Sequence, residues 1–436
     1  MNTISEFISA FHSFENCHNL FLSLDHHHRP WWDLVRYRVQ FQLITDYALH
    51  PSRIQSKKTI FSLIRSLLSS FVQLYRLIQD IFLLLFSDLT SIQTLFVANR
   101  TIDYIDDQIN IVIGDSRSLH INRSGNVAGS DFAIKYQSFQ FFIRLFSRFI
   151  SLPLSIQHEA AALSAELAAE FTCKGDILSI ILNKLREEEA ARYIWRFILM
   201  RANVLTKIIY VNDDSLKSLV FEARAKGIET EEVQHAYMGK EHIAFSYPNL
   251  KLDILTLPDK VVICRDTHDI VYPVKQIILK NYSKSFSPVN RDIDILIGSS
   301  LLFINEVVAM LQVLDCYGYR LAVKLHPSEP SKNIDIYRNS SNNKDLLIYS
   351  GNEIFSDIAC RSKLFIPANP SSTASFEASE MGSKVLLFHS EGFKKVTVAD
   401  SVASGHIFTL DLLSSAVAFH LSLDSDKSYS SVRDLN

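Results

Sequence analysis

The chain has 436 residues, of which 47% are hydrophobic and 21% charged, and its formal net charge is −3. This length exceeds what one hydrophobic core can organise, so the sequence predicts two domains. The near-neutral charge balance lacks the basic footprint of a nucleic-acid-binding protein, and we expect no nucleic-acid partner.

The cysteines and the N-terminus indicate a cytoplasmic protein. The cysteines are scattered, without a C-x-x-C pair, which is typical of a reducing compartment and argues against a zinc site or a disulfide framework. They are Cys17, Cys173, Cys264, Cys316 and Cys360. We expect all five to pack in the core. The N-terminus lacks the basic start and apolar run of a secretory signal.

Residues 1–93 are predicted to form an N-terminal helical region. Within them, residues 59–86 carry apolar side chains at three- and four-residue steps, which predicts one long amphipathic helix. Arg65, Gln73 and Asp80 interrupt it, so it is too polar to span a membrane. Two interpretations stay open: the helix packs on its own protein, or it makes a peripheral contact with the inner membrane.

A histidine run precedes this helix. Asp25 and His26, His27 and His28 lead into Arg29-Pro30-Trp31-Trp32. Adjacent histidines cannot all reach one ion without a constrained backbone, so the pattern favours a surface loop over a metal site or a carbohydrate-stacking platform. The charged residues 186–189 further along the chain predict a solvated helix face.

From residue 94 onward, short apolar strands alternate with helices. Strands rich in β-branched residues, separated by helices that end at glycine, are typical of βαβ units with a parallel sheet. We therefore predict an α/β fold with two Rossmann-like domains, residues 94–254 and 255–423, followed by a flexible tail at 424–436. Strands are predicted at 95–98, 109–113, 208–211, 232–234, 261–263, 293–297, 321–325, 346–348, 364–366 and 385–388, and helices at 156–201, 215–226, 305–317 and 372–381.

Polar residues follow the strands of the second domain, where an open parallel sheet binds its ligand. After the strand at 293–297 come Gly298, Ser299 and Ser300, and after the next come His326 and Pro327. An imidazole at a strand end can donate to a phosphate oxygen as a nucleoside phosphate departs.

A Ser/Thr cluster opens the helix at 372–381. Ser371, Ser372 and Thr373 offer hydroxyls and backbone N–H groups at the positive end of a helix dipole, which favours phosphate binding. The alternative is an ordinary helix cap with Glu377 in the first turns.

Two groups in the first domain are candidates for acceptor chemistry. Asp213 and Asp214 lie between a strand and a helix, where one carboxylate can raise the pKa of the other and supply a general base, although Asp is also a common helix cap. The second group follows the strand at 232–234 and consists of Gln234, His235, Tyr237, Lys240 and His242. His235 is an alternative base, and the sequence does not rank it against the two aspartates.

These motifs, in this order, resemble those of bacterial surface-polysaccharide glycosyltransferases of GT-B type. Lys324-Leu325-His326-Pro327 with Ser371-Ser372-Thr373 is similar to the His-Pro and Ser/Thr motifs of sialyltransferases and Kdo transferases, which use CMP-activated sugars. Asp213-Asp214-Ser215 resembles their acidic motif, with Ser in place of Gly. Gln234-His235-Ala236 resembles a Gln-His-Gly element of capsule and lipopolysaccharide transferases and, more loosely, of CDP-glycerol enzymes.

The resemblance implies that the His-Pro and Ser/Thr motifs hold the donor phosphate and that the acidic motif carries the base. The expected fold is GT-B-like, with two Rossmann-like domains facing a cleft. The expected activity is transfer of a sugar from CMP-sialic acid or CMP-Kdo to a hydroxyl of a lipopolysaccharide, lipooligosaccharide or capsule glycan. We expect no cofactor and no metal, because a helix terminus and a histidine can take the cation's place. The alternatives are a CDP-polyol phosphotransferase and a non-catalytic assembly partner that binds nucleotide or glycan.

Overall fold

The structure is a computed structural model, and it divides into two compact units, Ala10–Asn281 and Met1–Ser9 with Tyr282–Asn436. The residues that it describes are 4–48, 75, 78–80, 87–98, 118–122, 132–171, 173, 175–211, 216–233, 245–247, 254–263, 274, 276–279, 290–300, 303–327, 329–351, 353–369, 372, 374–389, 403–407 and 409–422.

The first unit contains a parallel sheet with the strand order β3-β2-β1-β4-β5-β6-β7. Its described strands are β1 Thr94–Ala98, β2 Ser118–Asn122, β3 Phe132–Lys135, β4 Lys207–Val211, β5 Glu229–Val233, β6 Lys260–Ile263 and β7 Gln276–Leu279. The helices in this part of the chain are α1 Ile4–Cys17, α2 Trp31–Ala48, α3 Tyr136–Ser147, α4 Leu154–Glu170, α5 Ile177–Arg201 and α6 Lys217–Ala225.

The central strands of this sheet are buried because they carry apolar side chains on both faces, as parallel strands covered by helices do. Every residue of β1 is buried. Trp195 of α5 packs in the same core and is 1% exposed. Helix boundaries follow local chemistry: the Asp176 side chain accepts the Ser179 N–H at the start of α5, and Gly227 adopts a φ of 72° just after α6.

The second unit contains another parallel sheet, with the strand order β10-β9-β8-β11-β12-β13. Its described strands are β8 Ile293–Gly298, β9 Leu321–Lys324, β10 Leu347–Tyr349, β11 Ser362–Pro367, β12 Lys384–Phe388 and β13 Gly405–Ile407. The helices are α7 Ile304–Leu314, α8 Asn333–Ser340, α9 Phe355–Ala359, α10 Ala374–Glu380 and α11, residues 413–422.

Both sheets follow the same winding order. In each, the first strand along the chain lies between the second and the fourth, so the winding direction reverses between β1 and β4 and again between β8 and β11. This doubly wound order is that of Rossmann-like units, and ligands bind beyond the strand ends at the reversal. The predicted fold class, α/β of GT-B-like type with two Rossmann-like units, is confirmed.

One strand lies in a different sheet from the one expected. The strand at 261–263 was expected in the second domain, but β6 pairs with β5 in the first sheet, with Val233 opposite Val262. Asp259 adds a side-chain contact to this pairing, because its carboxylate accepts from the Thr230 hydroxyl at 2.9 Å. An apolar strand does not itself encode its partner.

One surface prediction is wrong and another holds in part. Glu188 and Glu189, expected on a solvated face, are 2% and 4% exposed, because each carboxylate meets a cation inside the fold. In the expected surface loop, His26 and His28 are exposed as predicted, whereas Arg29 is 2% exposed and Trp32 0%. Cys17 and Cys316 are exposed rather than in the core.

Other predictions fall outside the described residues. They are most of the helix at 59–86, the strand at 109–113, Cys264 and the tail at 424–436. Among the residues that the structure describes, no helix is long and apolar enough to cross a membrane.

Candidate functional site

The carboxyl ends of β9, β8 and β11 lie side by side at the reversal point of the second sheet. The register places Gly298 opposite both Lys324 and Pro367. Just beyond these residues, the Ser299 N–H donates to the Lys324 carbonyl at 2.9 Å. The three segments predicted to bind a donor therefore leave the sheet at one edge.

Gly298 is required at the end of β8 by its neighbour. A Cβ at this position would lie 2.7 Å from Cζ of Phe365, whose ring is fully buried and packs edge-on against Phe355. The ring thus occupies the space that a side chain would need, and β8 ends in a residue without one. The half-buried Ser300 follows and accepts the Phe303 N–H ahead of α7.

Glu329 is the central polar residue of this edge. Its side chain is 6% exposed. One carboxylate oxygen accepts from Asn333 Nδ2 at 2.9 Å and from the Tyr337 hydroxyl at 2.5 Å. The other accepts from the Ser299 hydroxyl and from the His326 N–H. The carboxylate therefore joins the end of β8 to the turn after β9 and to α8.

The hydrogen bonds to Glu329 limit the chemistry that Ser299 and Tyr337 can perform. Ser299 is 8% exposed, and its hydroxyl donates its hydrogen bond to Glu329. Burial raises the pKa of Tyr337, and the hydrogen bond to Glu329 raises it further, so the phenol stays a proton donor. Ser299 thus contributes to the shape of the site through the network.

His326 and Pro327 form an exposed turn directly above this network. The Glu329 N–H donates back to the His326 carbonyl at 2.8 Å, which closes the turn. Gly351 packs on its other side: a Cβ there would lie 2.8 Å from the His326 carbonyl oxygen and 2.9 Å from Pro327 Cα. The backbone of His326 is therefore held from two sides, and the residue itself is exposed to solvent.

Lys324 is buried beneath the turn, at 5% exposure. Its ammonium donates to the carbonyls of Leu325 at 3.0 Å and Ser350 at 2.7 Å. Burial lowers its pKa, while the nearby carboxylates of Glu353, Glu329 and Glu377 act in the opposite direction. Lys324 thus holds the segments at Leu325 and Ser350 together beneath the turn.

The Ser/Thr segment is described at Ser372 alone; Ser371 and Thr373 lie outside the described residues. The Ser372 hydroxyl accepts the Ala374 N–H at 3.3 Å at the start of α10. This is the helix-cap contact of the alternative interpretation. Glu377 is half-buried in the same short helix.

Sequence reasoning missed Glu329, Asn333 and Tyr337. The available signal was their four-residue spacing, since Asn333 and Tyr337 share one face of α8 and Glu329 precedes Asn333 by four residues. Glu329 is also enclosed in the run His-Pro-Ser-Glu-Pro. An acidic residue fixed between two prolines has little backbone freedom, which is compatible with a positioning role.

The candidate base and acceptor residues all lie outside the described residues: Asp213, Asp214, Gln234, His235, Tyr237, Lys240 and His242. The structure does describe the first turn of α6, just after the two aspartates. There Lys217 is 3% exposed, and its ammonium lies 3.2 Å from Asp33 and 3.0 Å from the Tyr247 hydroxyl. Thr256 donates to the same Asp33 carboxylate at 2.6 Å.

One group in the described part of the chain has metal-ligand atoms close together: His26, His27 and Glu189. Glu189 is already bound by Arg29 at 2.6 Å and Arg192 at 2.8 Å. These contacts, against the cost of burial, hold its pKa at about 2. Two guanidinium groups on the same carboxylate disfavour a cation there.

A histidine pair lies at the ends of β12 and β13. His389 Nε2 is 2.9 Å from His406 Nδ1, and the rings stack with centroids 5.2 Å apart. His389 is buried and His406 is exposed. The pair lies on the same edge of the sheet as His326, on the opposite side of the reversal point.

No protein-family model and no curated protein matches the sequence. Similar solved structures include UDP-GlcNAc 2-epimerase from Methanocaldococcus jannaschii, with 11% identity and a TM-score of 0.44 over 76% of this chain and 92% of that one. MurG from Acinetobacter baumannii has 9% identity and a TM-score of 0.41 over 75% and 90%. A glycosyltransferase from Rickettsia africae has 10% identity and a TM-score of 0.42 over 76% and 89%. Likenesses this distant carry no argument about activity.

Proposed function

We propose that the chain is a nucleotide-sugar glycosyltransferase whose donor phosphate binds at the carboxyl edge of the second sheet. The observation that carries this proposal is that polar residues follow three neighbouring strands at the β8–β11 reversal point: Gly298–Ser300 after β8, His326–Pro327 after β9, and Asn369 with Ser372 after β11. A reversal point of a doubly wound sheet is where nucleotide phosphates bind.

The exposed imidazole of His326 is the proposed contact to the departing phosphate. Its backbone is fixed by Glu329 and Gly351, so the ring is presented without large reorganisation. In the transfer step, the bond between the anomeric carbon and the phosphate oxygen breaks and the nucleotide leaves with the electron pair. The acceptor hydroxyl oxygen bonds to the anomeric carbon and gives its proton to a base, for which Asp213, Asp214 and His235 are the candidates.

The proposed donor is a CMP-linked sugar, CMP-sialic acid or CMP-Kdo, and the proposed acceptor is a hydroxyl of a bacterial surface glycan. Both follow from the motif resemblance at 324–327 and 371–373. We propose that no metal is needed, because the exposed imidazole of His326 can donate a hydrogen bond to the departing phosphate.

The test is calorimetric binding of CMP, CDP, UDP and GDP to the full chain and to His326→Ala. His158→Ala is the matched control, because His158 is an exposed helical histidine of the other unit. We expect CMP to bind most tightly and the His326 variant to bind it about tenfold more weakly, while the control is unchanged. Preference for UDP or GDP would overturn the donor class, and no nucleotide binding would overturn the proposed function.

A transfer assay then identifies the reaction. The chain is incubated with a CMP-sugar and, separately, with CDP-glycerol, each with a bacterial glycan acceptor, and the product mass is measured. A mass increase of one sugar residue supports the proposal. Addition of a glycerol phosphate would replace it with polyol-phosphate transfer, and binding without turnover of either donor would replace it with a non-catalytic role.

A further inference from the structure

Helices α3 and α5 of the first unit expose large apolar side chains next to each other. We name the set the aromatic–arginine face. Its apolar members are Leu145, Phe149, Tyr193, Phe197 and Met200. Phe149 is 78% exposed and Met200 55%. Monomeric proteins seldom leave so many large apolar side chains in water on one patch without a binding role.

These side chains belong to one surface because the two helices pack together. The ring of Phe146 on α3 lies edge-on to Tyr193 on α5, with centroids 6.4 Å apart. On α5, positions 193, 197 and 200 recur at four- and three-residue steps, so they share one side of the helix. Phe142 stacks on Phe146 and extends the surface along α3.

The charge on this face has a single sign. Arg144, Arg148 and Arg196 are exposed among the apolar residues. Residues 136–150 and 190–204 contain no Asp or Glu, although the whole chain has a net charge of −3. A locally cationic face on a slightly anionic protein is complementary to an anionic surface.

We propose that the aromatic–arginine face docks the protein on an anionic lipid bilayer. Aromatic and aliphatic side chains of an amphipathic helix enter the headgroup boundary, and the long arginine side chains keep their charge at the phosphates. The residues at 193–200 form a stripe along a helix rather than a pocket. A stripe of this kind can lie flat on the surface of a fluid bilayer. None of the residues of this surface belongs to the predicted helix at 59–86, and the proposal does not depend on the enzymatic activity.

The test measures co-sedimentation of the full chain with vesicles of phosphatidylcholine alone and with phosphatidylglycerol added. The apolar variant is Phe149→Ser with Met200→Ser, and the charge variant is Arg144→Gln with Arg148→Gln. The control is Phe419→Ser, which removes a 59% exposed phenylalanine from α11 of the other unit. All variants leave residues 59–86 untouched.

We expect binding to the phosphatidylglycerol vesicles, at least a tenfold loss in the apolar variant and about a thirtyfold loss in the charge variant, at about fivefold per arginine. The control should bind as the parent chain does. No vesicle binding by the parent, or equal binding by all variants, would overturn the proposal.

Two further results would overturn it by identifying another occupant. A fall in thermal stability of the apolar variant beyond that of Phe419→Ser, without vesicle binding, would mean that another segment of this chain covers the face. A concentration-dependent mass in analytical ultracentrifugation that the apolar variant abolishes would mean that the face joins two copies.

Discussion

Replacing Glu329 by glutamine tests whether one buried carboxylate organises the carboxyl edge of β8, β9 and β11, where we propose that the donor binds. The carboxylate receives side-chain hydrogen bonds from Ser299, Asn333 and Tyr337, and a backbone one from His326. Glutamine presents one acceptor oxygen and one NH2 group in place of two acceptor oxygens. If the oxygen faces Asn333 and Tyr337, the NH2 group faces the Ser299 hydroxyl and the His326 N–H. The Ser299 hydroxyl proton then loses its acceptor, whereas the His326 N–H keeps the Ser299 oxygen at 3.3 Å.

The magnitude follows from these contacts. The hydrogen bonds from Asn333 and Tyr337 are retained but lose their charge assistance, at about 1 kcal/mol each. The buried Ser299 hydroxyl is left without an acceptor, at about 1–3 kcal/mol. The smaller desolvation cost of a neutral amide offsets part of this. We therefore expect a loss of about 3 kcal/mol, which in a unit of this size lowers Tm by about 6–12 °C.

The assay is thermal and urea unfolding of Glu329→Gln beside Asp335→Asn. Asp335 is the matched control because it lies on α8 with Asn333 and Tyr337, but its side chain is 76% exposed and its contact to Arg338 is 4.0 Å long. The control should change stability by less than about 0.5 kcal/mol. If the two variants unfolded alike, the carboxylate would not organise this edge.

Two further outcomes are expected. Gly351→Ala should destabilise the chain by about 1–3 kcal/mol in urea unfolding. The new Cβ would press on backbone atoms of His326 and Pro327, which cannot rotate away. Unchanged stability would contradict the turn geometry. Burial, with Arg36 adding to the effect, lowers the pKa of His12 from 6.5 to about 4. The unfolded state then binds more protons between these values, so the urea midpoint should rise from pH 4 to pH 6.5, and less steeply in His12→Gln. An equal slope in that variant would assign the dependence to other groups.

Strands and helices with strong patterns were predictable from the sequence. The strands at 208–211 and 293–297 are apolar and β-branched, and the helix that ends at Gly227 has a clear stop. Short strands such as β13, Gly405–Ile407, were not predictable, because their identity depends on backbone pairing with β12. The sheet to which 261–263 belongs depends on backbone pairing with β5, about thirty residues earlier in the chain, which an apolar pattern does not encode.

The proposed donor site was partly predictable for a similar reason. Residues that follow strands can be read from the pattern, and Gly298 and His326 do meet at one edge. The hydrogen bonds that commit Ser299 to Glu329 depend on how α8 packs, which no local pattern encodes. The burial of Glu189 likewise could not be predicted from the local sequence, because its partner Arg29 is 160 positions away.

The network around Asp33 has a consequence for how the chain folds during synthesis. Asp33 leaves the ribosome early, but its partners Tyr247 and Thr256 lie 214 and 223 residues later. At a synthesis rate of about 5–20 residues per second, Asp33 is made on the order of ten to forty-five seconds before these partners. Until then α2, which carries the buried Trp31 and Trp32, lacks these partners, and exposed apolar surface in a partly folded chain favours aggregation.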